Sequence, residues 1–393
     1  MLSPFSVNDK QLILSRFPLA QVNRSLQAWD SADEYLLNHC QAQQLIAPNS
    51  RVVIFNDAFG ALTTHFCQFE HDDSADNNKI DVYCVNDSYV SCQGIAHNIK
   101  QNQLTNENLT QLYCLDELPK NIDLILFKIP KNKALLIEQL IKIKNTVSEK
   151  TVFIAADRAK DIHSSTLKLF EKYLGTTTTS LAVKKARLVF CQLDQPQSFT
   201  SPFPTVWTLP NTALKRDFTI SNHANVYSRE KLDIGARYFI ENLPEVAKNS
   251  KVIDLGCGNG VIGLTILASQ PTASIQFVDE SQMAISSAKC NVETNLPELR
   301  SQCQFHLNDC LTEVESNSVD LILCNPPFHQ QAATTDHIAW QMFKDSHRVL
   351  KKGGELRIIG NRQLAYHIKL KRIFGNETLI ASNNKFVTQS AIK

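Results

Sequence analysis

The sequence states one plan twice. Val319-Asp320-Leu321-Ile322-Leu323-Cys324-Asn325-Pro326-Pro327-Phe328 aligns with Ile122-Asp123-Leu124-Ile125-Leu126-Phe127-Lys128-Ile129-Pro130-Lys131, sharing an Asp-Leu-Ile-Leu core and one proline. Upstream, Val252-Ile253-Asp254-Leu255 leads into a glycine-rich turn ending at Gly260. Val52-Val53-Ile54-Phe55 leads into a glycine-poor turn ending at Gly60. Phe277-Val278-Asp279-Glu280-Ser281 matches Cys84-Val85-Asn86-Asp87-Ser88, and Phe374-Gly375 with Lys385 matches Leu174-Gly175 with Lys185. The interval from Gly60 to Gly260 equals that from Gly175 to Gly375. Agreement in order and spacing means a duplicated domain, not the chance likeness of apolar strand ends.

Each copy alternates short β-branched runs with longer helical patterns. That predicts an α/β fold of two tandem Rossmann-like domains, each a mostly parallel sheet with helices on both faces. In the second copy, strands are expected at 251–255, 275–279, 319–324 and 355–360, and helices at 261–269, 281–295 and 338–350. The boundaries are 1–195 for the first copy, 196–219 for a linker and 220–393 for the second. Asp194 to Pro210 is rich in Pro, Ser and Thr, as a linker would be, although part of it could form an extra strand.

Charge and cysteine content narrow the function classes. A net charge of +1 means that any nucleic-acid contact must come from local patches. The eleven cysteines are odd in number, include no Cys-x-x-Cys pair, and several (Cys84, Cys191, Cys324) lie in apolar runs. Reduced, core-filling thiols follow, with no metal site. Met1 to Lys10 lacks a signal-peptide pattern, and no apolar run approaches the ~20 residues that cross a bilayer. A cytoplasmic protein without a membrane partner is expected.

In the second copy, Asp254-Leu-Gly256-Cys-Gly258-Asn-Gly260 ends a strand and opens a helix, where glycines allow a tight turn and close ligand approach. Gly258, Gly260 and Gly263 also satisfy the dinucleotide pattern, so the glycines alone leave that alternative open. The carboxylates decide against it. Asp254 just before the turn would repel a pyrophosphate, whereas the cationic sulfonium and ammonium of S-adenosylmethionine tolerate it. Asp279 ends the next strand, where a carboxylate accepts hydrogen bonds from ribose hydroxyls. Asn308-Asp309 follows another apolar segment, placing an amide and a carboxylate near an adenine amino group.

Asn325-Pro326-Pro327-Phe328 closes a strand at the end of the sheet where ligands bind. The Asn325 side-chain oxygen and the Pro326 carbonyl can each accept one N–H of an exocyclic amine, directing its lone pair at the methyl group. Pro326 and Pro327 stiffen the loop, and Phe328 offers a face for stacking a planar base. Methyl transfer to an amino nitrogen is the chemistry expected, by positioning rather than by strong base catalysis. A base inside a duplex would first have to leave the stack. Lys351, Lys352, Arg357, Arg362, Lys369, Lys371 and Arg372 are candidates for a phosphate-binding face.

With these residues in hand, the chain resembles the ribosomal RNA guanine-N2 methyltransferases with tandem methyltransferase domains. The resemblance rests on Asn325-Pro-Pro-Phe-His329-Gln330, on His223-Ala-Asn-Val-Tyr227-Ser leading to Leu232-Asp-Ile-Gly-Ala-Arg237, and on Asp254 through Gly263. Arg16-Phe17-Pro18, Leu26-Gln27-Ala28-Trp29, Ala32-Asp33-Glu34-Tyr35-Leu36-Leu37, Asn56-Asp57-Ala58-Phe59-Gly60, Asp161-Ile162-His163 and Leu169-Phe170-Glu171-Lys172 look like the large-subunit branch. The resemblance therefore implies methylation of one guanine N2 in 23S ribosomal RNA, naked or partly assembled. Methylation of small-subunit guanine N2, adenine N6 or a glutamine amide remains open on the residues alone. So does a non-catalytic RNA-binding assembly factor, against which the intact motifs of the second copy argue.

The first copy lacks the glycine turn and replaces Asn-Pro-Pro-Phe with Lys128-Ile129-Pro130-Lys131. It is expected to be a degenerate domain that binds RNA and supports its partner, using Lys128, Lys131, Lys133, Lys184 and Lys185. His71 to Lys79 reads as a surface insertion.

Overall fold

The computed structural model describes residues 4–7, 10–19, 26–68, 80–210, 216–327 and 333–393; the insertion at 71–79 lies outside them. The chain divides into two compact units, Met1–Pro202 and Phe203–Lys393.

In the first unit, β1 (Phe5–Val7) and β2 (Lys10–Leu12) pair antiparallel. There follow α1 (Ser31–Ala42), β3 (Arg51–Phe55), α2 (Ala61–Cys67), β4 (Asp81–Asn86), α3 (Tyr89–Gln101), β5 (Leu109–Tyr113) and β6 (Leu124–Lys128). The unit ends with α4 (Lys133–Thr146), β7 (Val152–Arg158), α5 (Ser164–Tyr173), β8 (Thr177–Thr179) and β9 (Ala186–Cys191). The second unit begins with β10 (Thr205–Leu209), β11 (Phe218–Asn222), α6 (Ile234–Ile240), β12 (Lys251–Leu255) and α7 (Val261–Ser269). It continues with β13 (Ser274–Asp279), α8 (Gln282–Asn295), β14 (Cys303–Leu307), β15 (Val319–Cys324) and α9 (Ala333–Val349). It closes with β16 (Leu350–Asn361), α10 (Tyr366–Phe374), β17 (Thr378–Ser382) and β18 (Phe386–Ile392).

Among the described residues each unit holds one seven-stranded sheet, ordered β5-β4-β3-β6-β7-β9-β8 and β14-β13-β12-β15-β16-β18-β17. These are one topology written twice. Five strands of each are parallel and the last two pairings are antiparallel. The central strands are apolar without alternation because helices cover both faces: Val52–Phe55, Leu124–Phe127, Val252–Leu255 and Leu321–Cys324 are all buried.

The repeat extends to single hydrogen bonds. Asp123 Oδ2 accepts the Arg51 N–H and Asp320 Oδ2 the Lys251 N–H, both at 2.8 Å, so the shared aspartate sets register in each copy. Ser88 and Ser281 cap the helices that follow β4 and β13. On α3, Asn98 and Asn102 grip the backbone of Ser15 and Ile13; on α8, Asn291 and Asn295 grip Ser221 and Thr219.

Three expectations change. Residues 205–209, assigned to a linker, form β10, because Leu209 is buried with Phe218 and Ile220 in the second unit's core. The helix expected at 338–350 begins at Ala333, and the strand expected at 355–360 begins at Leu350. No described helix is long and apolar enough to cross a membrane.

Candidate active site

Strand order in the second unit doubles back between β12 and β15, which opens a crevice at their carboxyl ends. Into it β12 delivers the glycine turn. Gly256, Gly258 and Gly260 have φ of 68°, 54° and 75°, a left-handed path that other residues adopt only with strain. The turn is fastened to β13 by Gly256 N–H and Cys257 N–H, which both donate to the Val278 carbonyl, at 2.8 and 3.1 Å. Side chains at the two ends of the run would meet different fates. A Cβ at Gly263 would strike the ring of Phe277, whereas one at Gly258 would meet nothing within 4 Å. Gly263 serves packing, and Gly258 borders open space.

The carboxylates knit this turn together. Asp279 Oδ2 accepts Gly258 N–H at 2.9 Å, and its Oδ1 accepts Ser281 N–H at 3.0 Å. Asp254 is only 3% exposed, and its Oδ2 accepts Gly263 N–H at 2.8 Å. Burial pushes its carboxyl up to about 7; the charge of Asp279 pushes the same way, and the Gly263 hydrogen bond pulls back. Asn308 follows β14, with its N–H on the Asp279 carbonyl and its Oδ1 taken by the Thr312 hydroxyl. Asp309 Oδ1 accepts from Gln341 at 3.1 Å, and burial raises its pKa. All seven residues named for cofactor binding thus lie at the carboxyl ends of β12, β13 and β14.

β15 brings Asn325 to the same edge. Asn325 is half-buried, and its Oδ1 is buried without a hydrogen-bond partner among the described residues. A bare buried carbonyl oxygen costs about 1–3 kcal/mol unless a donor arrives. Pro326 is buried and Pro327 exposed. Phe328, His329 and Gln330 lie outside the described residues.

One contributor escaped the sequence reading. Asn291 reaches across to the Asn259 carbonyl at 2.9 Å and so holds the glycine turn against α8, as Asn98 holds Phe59 at 2.7 Å in the first copy. Its signal was legible: an asparagine pair four residues apart recurs at 98/102 and 291/295. A second buried asparagine, Asn222 on β11, has both amide atoms without a partner among the described residues and gave no such signal.

In the first copy most of these groups have changed, although Gly60 stands at the place of Gly260 and Pro130 at that of Pro327. Register and spacing put Ile54 at the place of Asp254, Asn56 and Ala58 at those of Gly256 and Gly258, Asn86 at that of Asp279, and Lys128 at that of Asn325. The crevice is filled from within. Asn56 and Gln139 exchange side-chain hydrogen bonds at 2.9 and 2.8 Å, and Asp57 accepts from Gly60 and Thr63. Lys128 Nζ lies 2.7 Å from Asp30 Oδ1 and 2.6 Å from Asp33 Oδ1.

That last contact corrects one expectation. Lys128, named as an RNA contact, is committed to two carboxylates inside its own unit, with a side chain 15% exposed. Arg357 is likewise buried, on Glu355 and the Asn242 carbonyl. Lys184 pairs with Glu34 and Lys351 with Asp320, both as partly exposed surface pairs. Lys131, Lys133, Lys185, Lys352 and Arg362 are exposed. Among the described residues no group of His, Cys, Asp or Glu could hold a metal ion.

Residues 2–195 match the RLMG N-terminal domain family, and residues 217–389 the Methyltransferase small domain family. A ribosomal RNA large subunit methyltransferase G from Colwellia psychrerythraea is 71% identical, covering 100% of both chains. One from Pseudoalteromonas translucida is 51% identical over 98% of this chain and 97% of its own. A solved 16S rRNA N2 methyltransferase from T. Thermophilus, in complex with AdoMet and guanosine, shares the fold. Its TM-score is 0.74 over 100% of this chain and 98% of its own, at 16% identity.

Proposed function

The chain belongs to the ribosomal RNA large subunit methyltransferase G family, and from that premise we propose that it methylates the exocyclic N2 of one guanine in 23S ribosomal RNA. S-adenosylmethionine would supply the methyl group. The observation that carries the reading is the buried Asn325 Oδ1 beside the glycine turn, which has no hydrogen-bond partner among the described residues. It is an acceptor in need of an N–H donor.

The residues fit the cofactor. The open face at Gly258 leaves room for its chain, the buried Asp254 suits a cationic group, and Asp279 suits ribose hydroxyls. Asn308 and Asp309 border the adenine end. Asn325 Oδ1 and the Pro326 carbonyl each accept one N–H of the guanine amine, and this turns its lone pair toward the methyl group. Pro327 stiffens the loop, and Phe328 stacks on the base. The proton leaves after transfer, so the protein contributes alignment rather than a strong base.

The test supplies labelled cofactor with ribosomal RNA, ribosomal proteins and release factor, then maps the product by primer extension on RNA from cells lacking the protein. Label at a 23S guanine supports the reading. Label confined to protein, to adenine or to small-subunit RNA overturns it.

Asp254 makes cofactor binding sensitive to pH. Its carboxyl, ordinarily near 3.8, sits at about 7 here, so it is neutral in acid and anionic in mild alkali. A cation binds the anion, so affinity should be flat above pH 7 and fall by up to about tenfold per unit below it. Calorimetric titration in buffers of different ionisation enthalpy should detect proton release on binding at pH 6, and Asp254→Asn should abolish it.

For the first copy we propose support and RNA contact, carried by the exposed Lys131 and Lys133 with Lys185 and, in the second copy, Lys352 and Arg362. Changing Lys131 and Lys133 together to Glu should weaken RNA binding and lower the slope of log affinity against log salt by about 1 per lost phosphate contact. An unchanged slope would limit this copy to support.

A further inference from the structure

The degenerate copy shows what faces the active loop of the intact one. Lys128 occupies the place of Asn325, and its ammonium ends on the carboxylate of Asp30, the residue that caps α1. Asp233 caps α6 in the same way. Trp29-Asp30-Ser31-Ala32-Asp33-Glu34-Tyr35 aligns with Leu232-Asp233-Ile234-Gly235-Ala236-Arg237-Tyr238. α1 packs on β7, β9 and α2, and α6 packs on their counterparts β16, β18 and α7. The paired asparagine grips on Ser15 and Ser221 anchor the segments leading to both caps.

Carried over to the second copy, this correspondence pairs the Asp233 carboxylate with Asn325, as Asp30 is paired with Lys128 in the first. Asn325 ends two bonds nearer its backbone than lysine does, so its side chain cannot span the gap that Lys128 spans in the first copy. Asp33, the second partner of Lys128, is Ala236 here, so one carboxylate remains. It is held from both oxygens: Oδ1 accepts the Tyr227 hydroxyl at 3.2 Å and Oδ2 the Ala236 N–H at 3.0 Å. A carboxylate oxygen accepts two hydrogen bonds, so Oδ1 keeps capacity for another donor.

We propose that Asp233 determines base specificity by accepting the N1–H of the target guanine while Asn325 holds the N2 amine. This rests on the guanine-N2 reading and extends it. Guanine presents N1–H and N2–H as adjacent donors on one edge, which two facing acceptors match. Adenine presents a lone pair at N1 beside its amine, and a carboxylate opposite that lone pair repels it. The mature site thus selects against adenine with the group that its degenerate copy uses to hold a lysine.

The experiment uses the full-length enzyme and RNA carrying either guanine or 2-aminopurine at the target position; 2-aminopurine keeps the amine and lacks N1–H. The wild type should favour guanine by at least about 10²-fold in kcat/KM. Asp233→Ser keeps a capping oxygen but withdraws the carboxylate. It should lower kcat/KM on guanine and, by relieving the repulsion of the N1 lone pair, raise it on 2-aminopurine, so that discrimination collapses, with cofactor affinity intact as the folding control. Asp233→Asn, which keeps the cap and one acceptor, should fall between. Equal losses on both bases, or a wild type indifferent to the replacement, overturn the inference alone. A wild type that leaves the guanine RNA unmethylated overturns the underlying reading and this inference with it.

Discussion

Asn325→Ala should lower the single-turnover rate of methyl transfer by about 10²–10³-fold while leaving cofactor and RNA affinities unchanged. The size follows from what the side chain is placed to do. Its Oδ1 is already stripped of water and has no protein partner among the described residues. The cost of desolvating it is thus met on folding, and the contact with the amine is gained only when the base is in place. Removing the oxygen relieves the folded protein of a buried unsatisfied acceptor, so thermal stability should hold or rise slightly. A rate close to wild type would show that the Pro326 carbonyl alone orients the amine. RNA binding lost in parallel with rate would mean that Asn325 supports the loop rather than the reaction. Retained binding with lost methylation would exclude an assembly factor as the whole function.

Lys128→Met should be the most destabilising single change in the first unit, by about 3–5 kcal/mol. Among the described residues Lys128 is the cation paired with Asp30 and the buried Asp33, and Asp57 is close enough to act on Asp33. Burial alone would lower the lysine's pKa, but the two carboxylates outweigh it and hold the ammonium charged. Methionine matches the stem and leaves the carboxylates uncompensated. At about 2–4 °C per kcal/mol for a unit of this size, the unfolding transition should fall by roughly 10 °C. The loss should depend on pH in a definite direction. Burial raises Asp33 to about 6 even with its partner, and loss of Lys128 raises it further, so the Asp33 part of the cost vanishes below about pH 6, where the group is protonated with or without the lysine, and grows as the pH rises above it. Adding Asp33→Asn to Lys128→Met should restore most of the stability at neutral pH. A Lys128→Met protein that melts normally but binds RNA poorly would return this lysine to the RNA-contact set.

These two residues occupy equivalent places in a duplicated sheet, and their contrast explains how one copy lost its site while keeping its fold. The sheet is held by apolar strands buried on both faces, which do not depend on any ligand. The crevice at the strand ends is a polar void that must be either filled by a ligand or closed by the protein. The first copy closes it with Lys128, Asp30, Asp33, Asn56 and Gln139; the second leaves Asn325 Oδ1 without a partner among the described residues.

The sequence by itself determined the duplication, the α/β class, the strands at 251–255 and 319–324, the helix at 261–269 and the glycine turn. Those features are carried by neighbours in the chain. A strand of a covered parallel sheet is a continuous apolar run, a left-handed turn requires glycine, and a helix start needs a nearby cap. Tertiary structure decided the rest. That Leu209 belongs to a core and not a linker, that Lys128 is locked to Asp30 from 98 residues away, and that Asn291 reaches back to the glycine turn are facts of long-range packing. A lysine beside a loop has the same local pattern whether it faces phosphate or a buried carboxylate, because the partner that settles its role is brought to it only by the fold.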